Sequence, residues 1–312
     1  MADTCAHCVV ISLQKAGTHL VGEVMKGLGF SVTGTIRPDP DEIDKAPDMS
    51  AEWQQALIQR NLSSDDAFDH LTHDQAFYEA WGNFYWNMCL YMGVDLQKRY
   101  THEALRRYTK TLPNITLQDS PTNICWFLHG LSAKGGSRNF LNEWANEYHF
   151  PIIFNIRDPR DILISYIDYL QRKTKYGFGN YSDYLIYSKI LDSMDSYKEK
   201  LTFAIEDPLF PGKELMRDSL WLCRHPDVLV VRYEDLVGKS GGETNERQHQ
   251  TINAMENYTG RRYTEPSNIY NKGSFTFNTG LAGRWRGIFD DELQEKFNQL
   301  HGYELRTLGY SD

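Results

Sequence analysis

Lys15-Ala16-Gly17-Thr18-His19 stands directly behind a run of apolar, largely β-branched residues, Val9 to Leu13, and directly ahead of a helical pattern. Residue types in that order suit an anion. The first amides of a helix have no intrahelical partner, and the helix dipole favours negative charge beside them. Lys15 adds a mobile cation, Gly17 lets the backbone come close, and Thr18 and His19 bring side-chain donors. The lysine precedes the glycine, whereas in the GxxxxGK[ST] loop of nucleoside triphosphatases it follows. Taken alone, the segment also reads as an ordinary strand–turn–helix with an exposed lysine.

A second group is Arg157-Asp158-Pro159-Arg160-Asp161, with Ser165 eight residues beyond Arg157. Arg157 follows the buried run Pro151 to Ile156, so it stands at the C-terminal end of a predicted parallel strand, the edge where open α/β sheets bind ligands. A guanidinium offers phosphate a planar charged fork, and a serine adds one directional hydroxyl. Ser165 lies about two helical turns into the next helix, which lets it face the same crevice. Asp158, Arg160 and Asp161 are also consistent with capping and decorating that helix, Asp161 above all.

Periodicity supplies the elements that must hold these groups. Val9 to Leu13 has the length and composition of a buried parallel strand. Thr18 opens a helix with Leu20, Val21, Val24, Met25 and Leu28 at helical spacing, and Gly29 ends it. Residues 31–50 read as a polar loop. Residues 51–110 read as helices dense in aromatics, among them Trp53, Phe77, Trp81, Phe84 and Trp86. That region suits a helical subdomain on the sheet and a lid over an acceptor pocket. Further strands are expected at Ile124 to Leu128, Pro151 to Ile156 and Val228 to Val231. Helices are expected at Ser137 to Tyr148, Arg160 to Arg172, 181–206, 212–224, 245–259 and 290–307. Gly238 to Glu243 reads as a flexible surface loop, and 273–287 as an irregular glycine-rich segment. The alternation predicts a three-layer α/β fold, a mostly parallel central sheet with helices on both faces. One domain, residues 1–312, carries the helical insertion at about 36–110.

Composition narrows the function. The 312 residues carry 33 Lys+Arg against 42 Asp+Glu, a formal net charge of −9, so nucleic acid is not the expected partner and any anionic ligand needs a local basic site. No run reaches the ~20 apolar residues of a membrane span, and the N-terminus lacks the pattern of a signal peptide. Five cysteines without regular spacing fit reduced thiols. Cys5 and Cys8 form a CxxC with no second ligand pair, which reads as the start of a buried strand. The expected setting is cytoplasmic.

Lys15-Ala16-Gly17-Thr18, then Arg157 to Asp161 with Ser165, resembles the sulfotransferases that use 3′-phosphoadenosine 5′-phosphosulfate (PAPS). Arg232-Tyr233-Glu234-Asp235-Leu236 is similar to that family's YEDL segment, and Gly280-Leu281-Ala282-Gly283-Arg284-Trp285 to its C-terminal GxxGxW loop. The four motifs run in the family's order over nearly the whole chain. The resemblance implies a P-loop-like fold and direct in-line transfer of a sulfuryl group to a hydroxyl or amine of a small-molecule acceptor. PAPS would be donor, 3′-phosphoadenosine 5′-phosphate (PAP) the product, and no metal would be required. Lys15, Ala16, Gly17, Thr18 and His19 would hold the 5′-phosphosulfate. Arg157 and Ser165 would hold the 3′-phosphate, and Phe277, Gly280 and Arg284 would complete the contacts. The family's base is a histidine at the end of the next strand, a place that His129 takes here, with Lys15 stabilising the leaving phosphate.

Several positions depart from the family pattern. Phe127 stands where the family has a lysine two residues before the base, a charge that Lys134 could supply. Leu20 replaces an aromatic residue, and Asn278-Thr279 replaces an Arg-Lys pair, for which Arg284 and Arg286 could compensate. Two other readings remain. A P-loop phosphotransferase would need Mg²⁺ and a Walker-B-like acid, with Asp235 the nearest candidate. A non-catalytic nucleotide-binding relative would keep the fold without the transfer. The acceptor is open, and so is the oligomeric state, a homodimer included.

Overall fold

The structure, a computed structural model, describes residues 7–34, 124–130, 151–171, 182–264, 269 and 280–311. The aromatic insertion at 36–110, the helix expected at Ser137 to Tyr148, and Cys5, Lys134 and Phe277 lie outside the described residues.

Among the described residues five parallel strands form the sheet, in the order β2-β3-β1-β4-β5. They are β1 (His7–Ser12), β2 (Ser31–Gly34), β3 (Ile124–His129), β4 (Ile152–Ile156) and β5 (Val228–Arg232). Apolar side chains leave the central strands on both faces, which is why these strands read as unbroken apolar runs. Val9, Ile11, Ile152, Phe154 and Ile156 enter one core. Cys8, Val10, Cys125, Phe127 and Ile153 enter the other.

Helix α1 (Thr18–Gly27) covers the second core with Val21, Val24 and Met25. Each of these buried side chains contributes about 2 kcal/mol of hydrophobic stabilisation. Helix α2 (Pro159–Gln171) covers the first core with Ile162, Leu163, Tyr166, Ile167 and Leu170. Among the described residues the remaining α-helices are α3 (Ser182–Asp192), α4 (Tyr197–Glu206), α5 (Lys213–Ser219), α6 (Tyr233–Leu236), α7 (Asn245–Thr259) and α8 (Asp291–Thr307). The result is the three-layer α/β arrangement expected from the sequence.

Four local expectations change. Residues 31–34 are an edge strand instead of the start of a loop: Val32 is buried and pairs with Cys125, while the short Ser-Val-Thr-Gly run carries no apolar signal. The helix expected over 181–206 breaks at 193–196. Ser196 caps α4 there, its hydroxyl accepting from the Glu199 amide in a reciprocal capping box. The helix expected over 212–224 keeps α-geometry only to Ser219 and finishes as a 3₁₀ turn, Leu220–Arg224. Gly238 to Glu243 is not a free surface loop, because Gly241 is buried and its carbonyl accepts from the Ala282 amide at 2.9 Å.

The strand order decides where a ligand can sit. From β1 the chain runs through α1 to β2 on one side of the sheet, and from β4 it runs through α2 towards β5 on the other. A crevice therefore opens between the C-terminal ends of β1 and β4, the switch point at which α/β sheets bind ligands. The lysine cradle and the Arg157 segment border that crevice.

Candidate active site

Ser12 and His129 end β1 and β3, and Asn155 stands one residue before the end of β4, in one row: Ser12 pairs with His129 on one side and with Asn155 on the other. Ser12 and Asn155 are almost completely buried. The Asn155 amide donates to the Ser12 hydroxyl at 2.9 Å and to the Ala16 carbonyl at 3.0 Å, and the Ser12 and Thr18 hydroxyls lie 2.8 Å apart. Thr18 thus ties α1 to the strand ends with its side chain.

The turn from β1 to α1 is held in an uncommon conformation. Gly17 has φ +82°, and Lys15, at φ +64°, is the one non-glycine residue in the left-handed region among the described residues. Such a backbone costs on the order of 1–3 kcal/mol and persists only where neighbours hold it. Asn155 holds the Ala16 carbonyl, and Arg157 Nη1 donates to the Lys15 carbonyl at 3.2 Å. Gly17 also has no room for a side chain, since a Cβ there would lie 2.3 Å from Cδ2 of Tyr233. Tyr233, the first residue of α6, carries the Arg157 guanidinium over its ring at 4.3 Å.

No side chain caps α1, and its first turn contains no acidic residue. The first intrahelical bond runs from the Val21 amide to the Gly17 carbonyl, so the preceding amides of the turn face the crevice end of the helix. The Lys15 ammonium lies 4.0 Å from the centre of the Tyr169 ring on α2.

His129 Nδ1 lies 3.4 Å from the Ser12 carbonyl. A carbonyl only accepts, so this contact places the ring proton on Nδ1 and makes Nε2 the ring's accepting nitrogen. Burial, then the positive Lys15 nearby, pushes the His129 pKa down from 6.5 to about 4, against the opposing bond to Ser12. His19 is also lowered, first by burial and then by Lys15. One ammonium therefore acts on both imidazoles, and both are neutral at pH 7.

The Arg157 segment divides its labour. Arg160 makes a two-pronged ion pair with Asp158 (3.0 and 2.8 Å), donates to the Ser311 carbonyl and stacks on Trp285 at 3.5 Å. Asp158 also accepts from the Arg160 amide, the capping role read from the sequence. Asp161 does not decorate the helix surface. It is fully buried and accepts from the Gly283 and Trp285 amides at 2.7 and 3.0 Å, with Arg157 Nη2 at 3.5 Å. Burial raises its pKa, opposed by Arg157 and the two amides. Ser165 is half-buried, spaced at i+4 between Asp161 and Tyr169 on one face of α2.

The C-terminal strap follows the same crevice. Leu281 accepts from Arg157 Nη2 at 2.9 Å, and Gly280 and Gly283 take positive φ values of 63° and 68°. Arg284 pairs with Asp168 of α2 at 2.8 Å, while Arg286 lies 5.1 Å from the Trp285 ring. Both cations thus stand beside α2 and Trp285. Glu234 of the YEDL segment accepts from the Asp158 amide and the Tyr310 hydroxyl, and burial raises its pKa. Asp235 is partly exposed and lies 4.0 Å from Arg247. Phe127 is buried in the second core and Leu20 packs against it.

Lys15, His129 and Arg157 are therefore assembled at adjoining strand ends, with Gly17, Thr18 and His19 around them. Sequence reasoning missed Ser12, Asn155, Tyr169, Tyr233 and the role of Asp161. A polar residue at or next to the end of each of two buried apolar strands was the available signal for Ser12 and Asn155. No group of three or more potential metal ligands occurs among the described residues, nor does a helix long and apolar enough to cross a membrane.

No protein-family model matches the chain, and no curated protein matches it. Among solved structures, mouse sulfotransferase SULT7A1 complexed with PAP is similar, with a TM-score of 0.50 and 12% identity over 96% of this chain and 85% of that one. Two structures of retinol dehydratase, one with androsterone and the inactive cofactor PAP and one with retinol and PAP, give TM-scores of 0.40 at 16% and 15% identity. They cover 98% of this chain and 82% and 83% of theirs. At that identity the likeness to SULT7A1 concerns architecture, and the chain has the α/β fold of that sulfotransferase.

Proposed function

We propose that the protein is a PAPS-dependent sulfotransferase acting on a hydroxyl or amine of a small-molecule acceptor. The observation that carries this reading is the convergence of Lys15, His129 and Arg157 at three adjoining strand ends, with Arg157 bonded to the lysine turn itself. The residues suit a donor with two anionic ends. The start of α1 has neither a side-chain cap nor an acidic residue in its first turn. On the other side of the turn, the Arg157 Nε is buried without a hydrogen-bond partner among the described residues. A guanidinium donor in that position matches the 3′-phosphate that distinguishes PAP from ordinary nucleotides.

PAPS supplies an activated sulfuryl group with a phosphate as its leaving group. The chain's own contribution is positioning and charge. Lys15 and the α1 amides with Gly17, Thr18 and His19 stabilise negative charge growing on the departing phosphate oxygen, where fixed donors contribute most. His129 Nε2 takes the acceptor's proton, and its Nδ1 stays anchored on Ser12. Arg157 and Ser165 hold the 3′-phosphate, Gly280 and Arg284 of the strap add to the nucleotide site, and Phe277 is assigned to it from the sequence alone. Such a reaction needs no covalent intermediate and no metal.

Calorimetry with PAP against ATP–Mg²⁺, followed by sulfate transfer from PAPS to a panel of alcohols and amines, tests the reading. Binding of PAP in preference to ATP–Mg²⁺, with transfer abolished in Lys15→Ala, is the expected outcome. Preference for ATP–Mg²⁺ refutes it. Arg157→Ala is expected to weaken PAP by about tenfold to a hundredfold, the worth of a charge-assisted bond, with a much smaller effect on adenosine 5′-phosphosulfate.

A further inference from the structure

We infer that Asp161 is a positioning residue: its buried carboxylate pins the strap 280–285 against Arg157 and so sets affinity for the 3′-phosphate of the nucleotide. The inference rests on the nucleotide reading above and adds a residue to it.

Asp161 is completely buried on the first turn of α2, where a carboxylate is costly unless every lone pair is used. Its donors come from the strap, more than a hundred residues away, and from Arg157, four residues earlier. Oδ1 accepts the Trp285 amide, and Oδ2 accepts the Gly283 amide and faces Arg157 Nη2. The same Nη2 donates to the Leu281 carbonyl, so carboxylate, guanidinium and strap close a ring of bonds. Gly283 reaches Asp161 with φ +68°, and Ala282 is held from the opposite side by the Gly241 carbonyl. Arg157 Nη1 is meanwhile fixed on the Lys15 carbonyl. Each terminal nitrogen of the arginine therefore has a protein acceptor that fixes its plane. Nε is buried and is the guanidinium nitrogen without a partner among the described residues. Removing the pin frees the strap and lets the guanidinium rotate, while the lysine turn keeps its Asn155 anchor.

The chosen variant is Asp161→Asn, which preserves shape and one acceptor oxygen but sets an NH₂ against a strap amide or Arg157. Calorimetry should show PAP affinity falling by about tenfold to a hundredfold, and adenosine 5′-phosphosulfate, which lacks the 3′-phosphate, by less than about threefold. Amide hydrogen exchange across 280–287 should quicken in the variant without ligand. Equal losses for both nucleotides, or PAP affinity within about twofold of wild type, overturn the inference and leave the sulfotransferase reading intact. Wild-type protein that binds neither nucleotide overturns both. Should Asp161→Asn fail to fold, exchange in the wild type decides: the Gly283 and Trp285 amides gain protection with PAP but not with adenosine 5′-phosphosulfate, and equal protection by the two refutes the pin.

Discussion

His129→Gln offers a stability test that does not depend on knowing the acceptor. Burial holds the native imidazole neutral, with its pKa lowered from 6.5 to about 4. Between those two values the unfolded chain binds a proton that the native protein refuses, so stability falls as pH falls through that window. Above pH 6.5 the contribution is complete, and below about 4 no more is lost. The full shift corresponds to about 3 kcal/mol, and at pH 5 about 2 kcal/mol of it is gone. Urea titrations of wild type and His129→Gln at pH 7 and pH 5 measure it as a difference of differences. Wild type should lose about 2 kcal/mol more than the variant over that interval. His19, shifted in the same direction, contributes to both proteins and largely cancels. Losses equal within about 0.5 kcal/mol refute the buried neutral imidazole. The same environment makes a kinetic statement, because the acid limb of kcat/KM for the free enzyme reports its essential base. That limb should fall below pH 6.5, and a limb at or above 6.5 removes His129 from the role of base in this environment.

Two substitutions separate the turn from its supports. Gly17→Ala forces a side chain into the left-handed region and onto the Tyr233 ring, which should lower stability by on the order of 3 kcal/mol in urea titration and impair PAP binding. An unchanged urea midpoint would mean that the ring swings clear. Arg160→Ala leaves the Asp158 carboxylate buried and unpaired, at a cost of about 3–5 kcal/mol, yet folded protein should keep the wild-type ratio of PAP to adenosine 5′-phosphosulfate affinity. A collapse of that ratio would place Arg160 in the nucleotide site and contradict the division between the two arginines.

Arg157 and Arg160 show how far the sequence could be read. They are three residues apart, with the same side chain and an aspartate after each. Nothing in local pattern says that one faces the crevice and the other is enclosed by Asp158, Trp285 and Ser311. Elements were easier. The apolar run before Lys15, the spacing from Leu20 to Leu28 and Pro159 at the start of α2 are local signals, because the periods of helix and strand come from the backbone itself. The Ser196–Glu199 capping box was legible too, and it marks the break that periodicity alone ran through. The edge strand Ser31–Gly34 was not, since its partner β3 lies far along the chain and its own residues carry no alternation.

By itself, then, the chain determined an alternation of strands and helices and a turn with a lysine and a glycine behind its first strand, since both depend on neighbours in sequence. Tertiary structure alone decided the company each group keeps. Strand order brings the ends of β1, β3 and β4 into one row, and this sets Ser12 beneath His129 and Asn155 beneath the lysine turn. The same closure sets Asp161 on a strap more than a hundred residues away. A buried carboxylate and a buried guanidinium take their roles from the donors and acceptors that folding delivers to them, and those partners are non-local.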